Sequence, residues 1–440
     1  MRETEDVHGN DAKLKREIGL IATGFLVLNG SIGAGIFGLP GKLMEQAGVI
    51  GPWLIIIFGT FIITVAWTFA AIASYFSSTG GPVAYANRAF GPLVGFQTGW
   101  LLYVGRVTAI AANVNVLFNY AAFLWESASS ETIRLILFFL IIGTLTVINV
   151  MGIKKAVKAI NILTLLKTIP ILLLVLLALP YITPEGTFPK ELPSFDDMNG
   201  LVLLILYAFV GFEGALVTAG ETKNPKKTIP RALIIGVLVI TALYFLVSLA
   251  YANVVDEISS DIPLLQMAEI LMGSTGGFII IITAIFSILG NATSIVIAAP
   301  RMTFAMAEEG SLPKWFSEVN EKYNTPANSI VFLGVLAFLL AISGTFVKLA
   351  IASTLARMIA YAICMLSLPN IRKKADQETR DNATKLPGGY IIPGVAFFVC
   401  LFAISQSTWV SWKYTLGLIL LGSFLYYLNK IIGKKENRDD

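Results

Sequence analysis

The sequence predicts an all-α polytopic membrane protein: twelve transmembrane helices, ten of them in a five-plus-five inverted repeat with broken helices 1 and 6, plus two peripheral C-terminal helices. Three observations predict it. Hydrophobic residues make up 56% of the 440-residue chain and charged residues only 14%, whereas soluble domains carry about a quarter charged residues. Apolar windows of membrane-spanning length recur along the chain. Glycines interrupt the first and the sixth of these windows.

The apolar windows define the predicted organisation. They cover residues 19–46, 52–77, 91–124, 132–151, 157–180, 200–221, 230–254, 277–304, 327–345, 347–369, 390–407 and 410–430. The predicted units are a polar N-terminal tail (1–18), a ten-helix core (19–369), a polar loop (370–389), two peripheral helices (390–430) and a polar C-terminal tail (431–440). The first tail lacks the features of a cleaved signal peptide.

The placement of basic residues predicts the orientation of the chain. With both termini in the cytoplasm, most of the 32 Lys and Arg residues lie inside. The external loops and their margins hold only Arg134, Lys190, Lys348 and Lys413. This bias follows the positive-inside rule and favours cytoplasmic tails in a plasma-membrane protein. The loop at 80–92 is predicted to hold a helical turn inside, and 256–273 a short helix over the outer surface.

Composition argues against several functional classes. Cys364 and Cys400 lie in apolar runs and are interpreted as buried small hydrophobes. The single histidine, His8, lies in the polar tail, so neither a metal site nor any other cofactor is expected. A net charge of +4 does not indicate a nucleic-acid partner. We find no catalytic constellation for an enzyme and no repeated polar filter for a channel.

The first interruption lies at residues 29–40, sequence NGSIGAGIFGLP. Four glycines and a proline weaken the helix where lipid would require an unbroken one. Unwound backbone is tolerated at that depth only where it is buried in protein or lines a cavity.

The second interruption, YAFVGFEGA at residues 207–215, surrounds the acid Glu213. Glycines can also serve close helix packing, which is the alternative for either stretch alone. Two interruptions five spans apart favour an inverted repeat with a ligand site between them.

The polarity of the two breaks predicts the ligand. Free amides at Gly33, Ala34 and Gly35 begin a half-helix, whose positive dipole end suits a carboxylate. A half-helix ending near Val210 leaves the carbonyls from Tyr207 to Val210 unpaired, which suits an ammonium group. One pocket of each sign describes a zwitterion, and a free amino acid is the simplest candidate.

These stretches resemble the amino acid–polyamine–organocation (APC) superfamily. The resemblance rests on GSIGAGIF (30–37), GPVAY (81–85), FGP (90–92), GFE (211–213), ETKNPKKTIP (221–230) and the segment from Arg301 to GSLP (310–313). It covers the first ten windows well and the last two only generally. It implies a five-plus-five fold that works by alternating access.

By position, the resemblance implies roles for several residues. Ala34 and Gly35 would bind the substrate carboxylate through their amides; carbonyls of Ser31, Tyr207 and Val210 would hold the amino group. Tyr207 would occupy the outer aromatic gate, and the sequence alone suggests that Tyr207 and Phe209 form an aromatic lid. Many relatives carry Ser or Thr where this chain has Ala34. The predicted substrate-binding set is Ser31, Gly33, Ala34, Gly35, Tyr207, Ala208, Phe209 and Val210.

Ionisable groups inside spans are functional candidates because inserting them is costly. Lys167 lies about 15 Å deep by helix rise and resembles the lysine that sodium-independent members carry near the sodium site of coupled relatives; the alternative is a snorkelling lysine. Glu213 could carry a proton or be a permanently paired carboxylate, with Arg106 or Arg357 as its partner. Asn291 and Ser294 could line the site, with Thr293 nearby, or bond back to their own helix.

The combined prediction is a secondary active transporter of free, neutral amino acids. It is predicted to be sodium-independent and to work as an exchanger or a proton symporter, with the substrate, the lipid bilayer and protons as partners. The alternatives are a sodium-coupled carrier, a cationic amino acid or polyamine carrier, and a channel. The sequence does not predict the oligomeric state.

Overall fold

The computed structural model describes residues 18–76, 81–124, 130–151, 156–189, 200–258, 261–386 and 388–439. The predicted N-terminal tail, apart from residue 18, therefore lies outside the described residues. Within these ranges the regular elements are helices, accompanied by two isolated bridges.

The helices are bounded as follows. The first seven are α1 (Leu20–Ser31), α2 (Gly35–Ala47), α3 (Gly51–Ala73), α4 (Gly81–Phe90), α5 (Pro92–Leu124), α6 (Glu131–Val150) and α7 (Ala156–Ala178). The next five are α8 (Pro184–Thr187), α9 (Leu201–Tyr207), α10 (Gly214–Val217), α11 (Pro225–Val254) and α12 (Pro263–Glu308). The last five are α13 (Ala327–Ser343), α14 (Phe346–Lys374), α15 (Gln377–Asn382), α16 (Ile391–Ser405) and α17 (Trp409–Asp439).

Each predicted window coincides with one helix or with a pair of helices separated by a break. Seven stretches of the described chain are long and apolar enough to cross a membrane on their own: α2 with α3, then α5, α6, α7, α11, α12 and α14. The chain is therefore a multi-pass membrane protein. The count of twelve spans and the inverted repeat remain predictions, since α1 and α13 are short and α16 and α17 meet at a bend of 109°.

Several boundaries differ from the predicted ones. Helix α11 begins at Pro225 rather than at residue 230, because proline is well suited to the first helical position. Helix α12 absorbs the predicted outer helix and is kinked at Gly273, whose φ of 65° interrupts helical geometry. Helix α14 continues past Pro369 to Lys374, so the first residues of the predicted polar loop, 370–374, are helical.

Helices of the two predicted halves pack on one another. Helix α2 packs on α9, α3 on α11, α5 on α12 and α6 on α13. In each pair, the second helix belongs to the window that comes five windows after that of the first. A short helix also follows the second window (α4) and the seventh (the part of α12 before Gly273). The most apolar stretch of α5 is buried throughout, whereas the most apolar stretch of α6 is largely exposed. Helix α5 therefore lies at the centre of the bundle.

Candidate functional site

The first break separates α1 from α2 at residues 32–34. Helix α1 ends at Ser31, Ile32 is extended (φ −89°, ψ 91°), and α2 begins at Gly35. The backbone N–H groups of Gly33, Gly35 and Ile36 have no hydrogen-bond acceptor among the described residues. They stand at the N-terminal, positive end of the α2 dipole, which makes this end of the break suited to an anion.

The amide of Ala34 is not free. Its N–H donates to Asn113 Oδ1 on α5 at 3.1 Å, and Ala34 itself is fully buried. The prediction that this amide is available to a carboxylate is therefore wrong for this conformation, because a side chain from another helix satisfies it. Ile36 supplies a free amide that the sequence pattern did not single out.

The second break begins where α9 ends, at Tyr207, three residues earlier than predicted. Residues 208–213 form turns before α10 begins at Gly214. The carbonyls of Tyr207, Ala208, Phe209 and Val210 accept no hydrogen bond within the described part of the chain. This is the C-terminal, negative end of the α9 dipole, which suits a cation.

The two breaks touch each other. A Cβ added to Gly30 would lie 2.6 Å from the Gly211 carbonyl oxygen, which is closer than such atoms can approach. Gly211 also has a φ of 113°, a region that L residues rarely adopt. The anion-binding end of one half-helix and the cation-binding end of the other are thus held together by glycine backbone.

Lys167 connects α7 to the first break. Its Nζ donates to Asn29 Oδ1 at 2.9 Å and to the Ile32 carbonyl at 2.5 Å, and the side chain is fully buried. Ile32 is the first residue after the end of α1. The ammonium therefore satisfies a carbonyl that the break leaves without its helical partner.

A chain of amide side chains continues from Lys167 across the site. Asn29 Nδ2 donates to Ser294 Oγ at 2.8 Å, and Asn291 Nδ2 donates to the Asn29 carbonyl at 2.6 Å and the Gly30 carbonyl at 3.1 Å. Asn113 Nδ2 in turn donates to Asn291 Oδ1 at 2.8 Å. Helices α5 and α12 thus fix the geometry of the first break.

Glu213 lies in a buried ion cluster. Its Oε1 is 3.2 Å from Arg357 Nε and 3.8 Å from Arg106 Nη2, while Oε2 accepts from Tyr361 Oη at 2.6 Å and the Gly211 N–H at 2.8 Å. Both arginines named as alternatives face this one carboxylate. Arg357 also donates to the Gly105 carbonyl at 2.9 Å.

Arg106 is the less satisfied member of the cluster. It makes no hydrogen bond within the described residues, and its Nε is buried without a partner. Five N–H donors on a buried guanidinium call for acceptors that water or a ligand must supply.

A cavity of about 1680 Å³ joins the two breaks. Of the predicted site residues, it is lined by Ser31, Gly33, Gly35, Tyr207, Val210, Glu213, Asn291 and Ser294, while Ala34, Ala208, Phe209 and Lys167 do not line it. Ala208 and Phe209 are fully buried behind the turn, so they contribute backbone and packing. The hydroxyl of Ser31 is buried without a hydrogen-bond partner.

The cavity has a mouth at one end. Its mouth is lined by residues of α4, the start of α11, the end of α12 and α15, the side that the positive-inside bias predicts to be cytoplasmic. At the other end Tyr207 packs edge-on against Phe346, with ring centroids 5.9 Å apart. Above them Tyr120 donates to the Phe37 carbonyl at 2.9 Å.

The mouth carries charges of both signs: Arg88, Lys226, Arg301 and Lys374 against Glu221, Glu308, Glu309 and Asp376. The pKa of the Asp376 carboxyl is lowered because it accepts a hydrogen bond from the Thr379 backbone N–H at 2.7 Å. Partial burial raises the pKa of the Glu309 carboxyl. Among the described residues, no group of three or more His, Cys, Asp or Glu side chains could hold a metal ion.

Sequence reasoning also missed three side chains that contact the first break or Glu213. Asn113 satisfies the Ala34 amide, Tyr361 binds Glu213, and Tyr244 donates to the Ser31 carbonyl at 3.5 Å. Asn113 could have been recognised from the sequence, because an amide side chain inside an apolar span is costly. Tyr361 and Tyr244 could not have been recognised, since buried aromatic residues are ordinary in any helix bundle.

Comparison with known proteins gives one consistent result. The Amino acid permease family matches residues 18–427. The serine/threonine exchanger SteT of Bacillus subtilis is 30% identical over 94% of this chain and 96% of its own length. The branched-chain amino acid permease BcaP of the same organism is 29% identical, over 95% and 94% respectively. The mouse b(0,+)-type amino acid transporter 1 is 24% identical, over 97% and 91%. This chain belongs to the amino acid permease family, within the APC superfamily.

Proposed function

We propose that this permease is a secondary active transporter of free neutral amino acids that works by alternating access. It acts in the plasma membrane, with both termini in the cytoplasm, and its coupling is independent of sodium. Exchange and proton symport are the two coupling modes that the assay below separates.

One observation carries the proposal. Free amides at the start of α2 and free carbonyls at the end of α9 meet at the Gly30–Gly211 contact, and one cavity is lined by both breaks. An α-carboxylate fits the first set of groups and an α-ammonium fits the second. Such charge-assisted contacts are stronger than neutral ones.

The residues take the following roles. The amides of Gly33 and Gly35, which line the cavity, bind the carboxylate, and the unpartnered Ser31 hydroxyl supplies a donor that Ala34 lacks. Carbonyls of Tyr207 and Val210 bind the ammonium, with the Ser31 carbonyl beside them. Tyr207 and Phe346 close the cavity on the far side.

The charges around the cavity favour a neutral substrate over a cationic one. Arg106, Arg357 and Glu213 line the wall, and together they leave one positive charge. A cationic side chain or a polyamine would face that charge without an acidic partner of its own, because Glu213 is already paired. The names of SteT and BcaP, which specify serine/threonine and branched-chain amino acids, agree with a neutral substrate.

Lys167 supports independence from sodium. Its ammonium holds the Ile32 carbonyl and the Asn29 amide oxygen, oxygens of the kind that a bound sodium ion would need. A fixed cation there organises the break without an ion gradient. Asn291 donates to the Asn29 carbonyl of the same segment, and Ser294 accepts from the Asn29 side chain.

Glu213 is proposed as a structural carboxylate rather than the proton carrier. Four groups surround its two oxygens, two of them guanidinium groups, so protonating it would leave buried positive charge without compensation. The cluster ties α9–α10 to α5 and α14 and holds the second break in place.

The test is uptake into proteoliposomes of purified protein. A panel of labelled neutral, cationic and acidic amino acids is offered with sodium or choline outside, with and without internal amino acid, and with or without a pH gradient. Empty liposomes and a Gly35→Leu protein serve as controls. We expect saturable uptake of neutral amino acids, unaffected by sodium, which internal substrate or an inward proton gradient accelerates.

Other outcomes of the same assay would contradict the proposal. Saturable uptake of no amino acid would refute amino acid transport by this chain. Sodium-dependent uptake, or a preference for lysine or a polyamine, would refute the coupling or the substrate class while leaving transport intact.

A further inference from the structure

A second pocket lies away from the transport cavity, between the end of α14, the start of α16 and the end of α3. Its volume is about 510 Å³. Four cations and two tyrosines contribute to its wall: Arg372, Lys373, Arg380, Lys385, Tyr75 and Tyr390. No carboxylate lines it within the described residues, in contrast to the balanced charges at the mouth of the large cavity.

Contacts with backbone and aromatic rings fix this pocket in shape. Arg380 donates through Nε to the Ala375 carbonyl at 2.9 Å and through Nη2 to the Lys373 carbonyl at 3.1 Å. The Arg372 guanidinium lies 4.9 Å from the centre of the Tyr390 ring. The Thr384 N–H donates to Ser74 Oγ at 2.9 Å, which attaches the loop to the end of α3.

Two of the cations are left without a protein partner. The ammonium groups of Lys373 and Lys385 are exposed and make no hydrogen bond or ion pair with any residue that the structure describes. Four positive charges surround one concave site, and none of them is ion-paired within the described residues, so the site calls for an anion with several acceptor oxygens.

An apolar stripe begins at the edge of the pocket. Helix α16 exposes Ile391, Val395, Phe398 and Phe402, which are 70%, 40%, 69% and 43% exposed. Their spacing of four, three and four residues puts them on one face of the helix. Since Tyr390 lines the pocket and Ile391 starts the stripe, a headgroup site continues directly into a lipid-facing surface.

We propose that this pocket binds the phosphate headgroup of an anionic phospholipid, whose acyl chain lies along the α16 stripe. The cations neutralise the phosphodiester, and Tyr390 stands at the interface, where tyrosines are enriched. The ligand bridges α14, which contributes Arg357 to the buried ion cluster, and the peripheral helix α16. This inference does not depend on the identity of the transported substrate.

The test is native mass spectrometry of the purified protein in detergent, with phosphatidylglycerol, phosphatidylcholine or inorganic phosphate added. The variant is Lys373→Gln/Lys385→Gln, chosen because neither side chain bonds to the protein. Lys322→Gln is the control, since Lys322 is likewise an exposed lysine but lies outside the pocket. We expect selective binding of phosphatidylglycerol that the double variant weakens about ten-fold or more and the control leaves unchanged.

Other outcomes overturn the proposal. Equal binding of the two lipids, or phosphatidylglycerol binding that the double variant retains, would exclude a headgroup site here. Displacement of the lipid by inorganic phosphate at similar concentration would assign the pocket to a soluble anion. If the double variant fails to fold, Arg372→Gln alone is tested against the same criteria.

Discussion

The backbone of Gly30 packs directly against the backbone of Gly211, so the two broken helices meet where neither has a side chain. This contact brings the amide end of α2 and the carbonyl end of α9 to one point. It also explains why both glycines are required, Gly30 for space and Gly211 for space and a φ of 113°.

Adding a methyl group at this contact should separate the two breaks. We expect Gly211→Ala to lower the free energy of unfolding by about 1–3 kcal/mol, since an L residue is strained at that φ, and to reduce amino acid binding at least about ten-fold. Thermal unfolding and equilibrium binding of labelled substrate measure the two effects. Gly394→Ala on α16, where a Cβ meets open space, is the control. Wild-type binding by Gly211→Ala would show that the contact is ordinary helix packing.

The glycines at the start of α2 should be needed for binding more than for folding. A Cβ at Gly33 would lie 2.8 Å from Asn291 Oδ1, and one at Gly35 would lie 2.8 Å from Tyr244 Oη. We expect Gly33→Leu and Gly35→Leu to abolish binding, because each new side chain would collide with a group that contacts the first break, Asn291 or Tyr244, and displace the free amides. The proteins should still elute as folded monodisperse species.

Gly24→Leu on α1 is the matched control for these two variants, since a Cβ there meets nothing within 4 Å. It should bind substrate as the wild type does. If Gly33→Leu and Gly35→Leu also keep their affinity, the first break does not form the carboxylate site.

Removing the Lys167 ammonium should leave the Ile32 carbonyl and the Asn29 amide oxygen without their donor. We expect Lys167→Met to cost about 1–3 kcal/mol of stability for the buried unsatisfied acceptors and to reduce transport at least about ten-fold. Lys42→Met is the control: Lys42 pairs with Glu45 at 3.0 Å near the surface, where such pairs contribute about 0–1 kcal/mol. Normal transport by Lys167→Met would refute the role given to Lys167.

The buried ion cluster should behave as one unit. Glu213→Gln leaves Arg357 and Arg106 without their counter-charge, so we expect it to cost about 3–5 kcal/mol of stability. A double-mutant cycle with Arg357→Met, read by chemical unfolding, should show that the double variant is less destabilised than the two single effects added together. If Glu213→Gln instead keeps its stability and loses only the response to a pH gradient, Glu213 is the proton carrier.

Much of the helical architecture could be predicted from the sequence, because the bilayer imposes length and apolarity on each span. Both breaks could also be located, since glycine clusters are exceptional in the middle of a span. The end of α9 at Tyr207 could not, because the turn that follows it is set by the Glu213 carboxylate accepting the Gly211 N–H.

The error at Ala34 has a different origin. Helix polarity predicts that amides at a break are free, but Asn113 lies 79 positions away and satisfies one of them. Contacts between distant spans decide which backbone groups remain available, and no local pattern reports them. The same limit applies to Glu213. The sequence named Arg106 and Arg357 as alternative partners, but it could not show that both of them face this carboxylate.

The most direct test of the two-part site is competition by substrates with one end blocked. Binding of a labelled neutral amino acid, chosen from the uptake panel, is measured against the unlabelled amino acid, its methyl ester and its N-acetyl derivative. Charge-assisted contacts to each end contribute about 1.5–3 kcal/mol, so we predict that either block weakens binding about ten- to hundred-fold while the parent competes fully. Equal competition by the methyl ester and the parent would contradict a carboxylate site at Gly33 and Gly35, and with it the central claim.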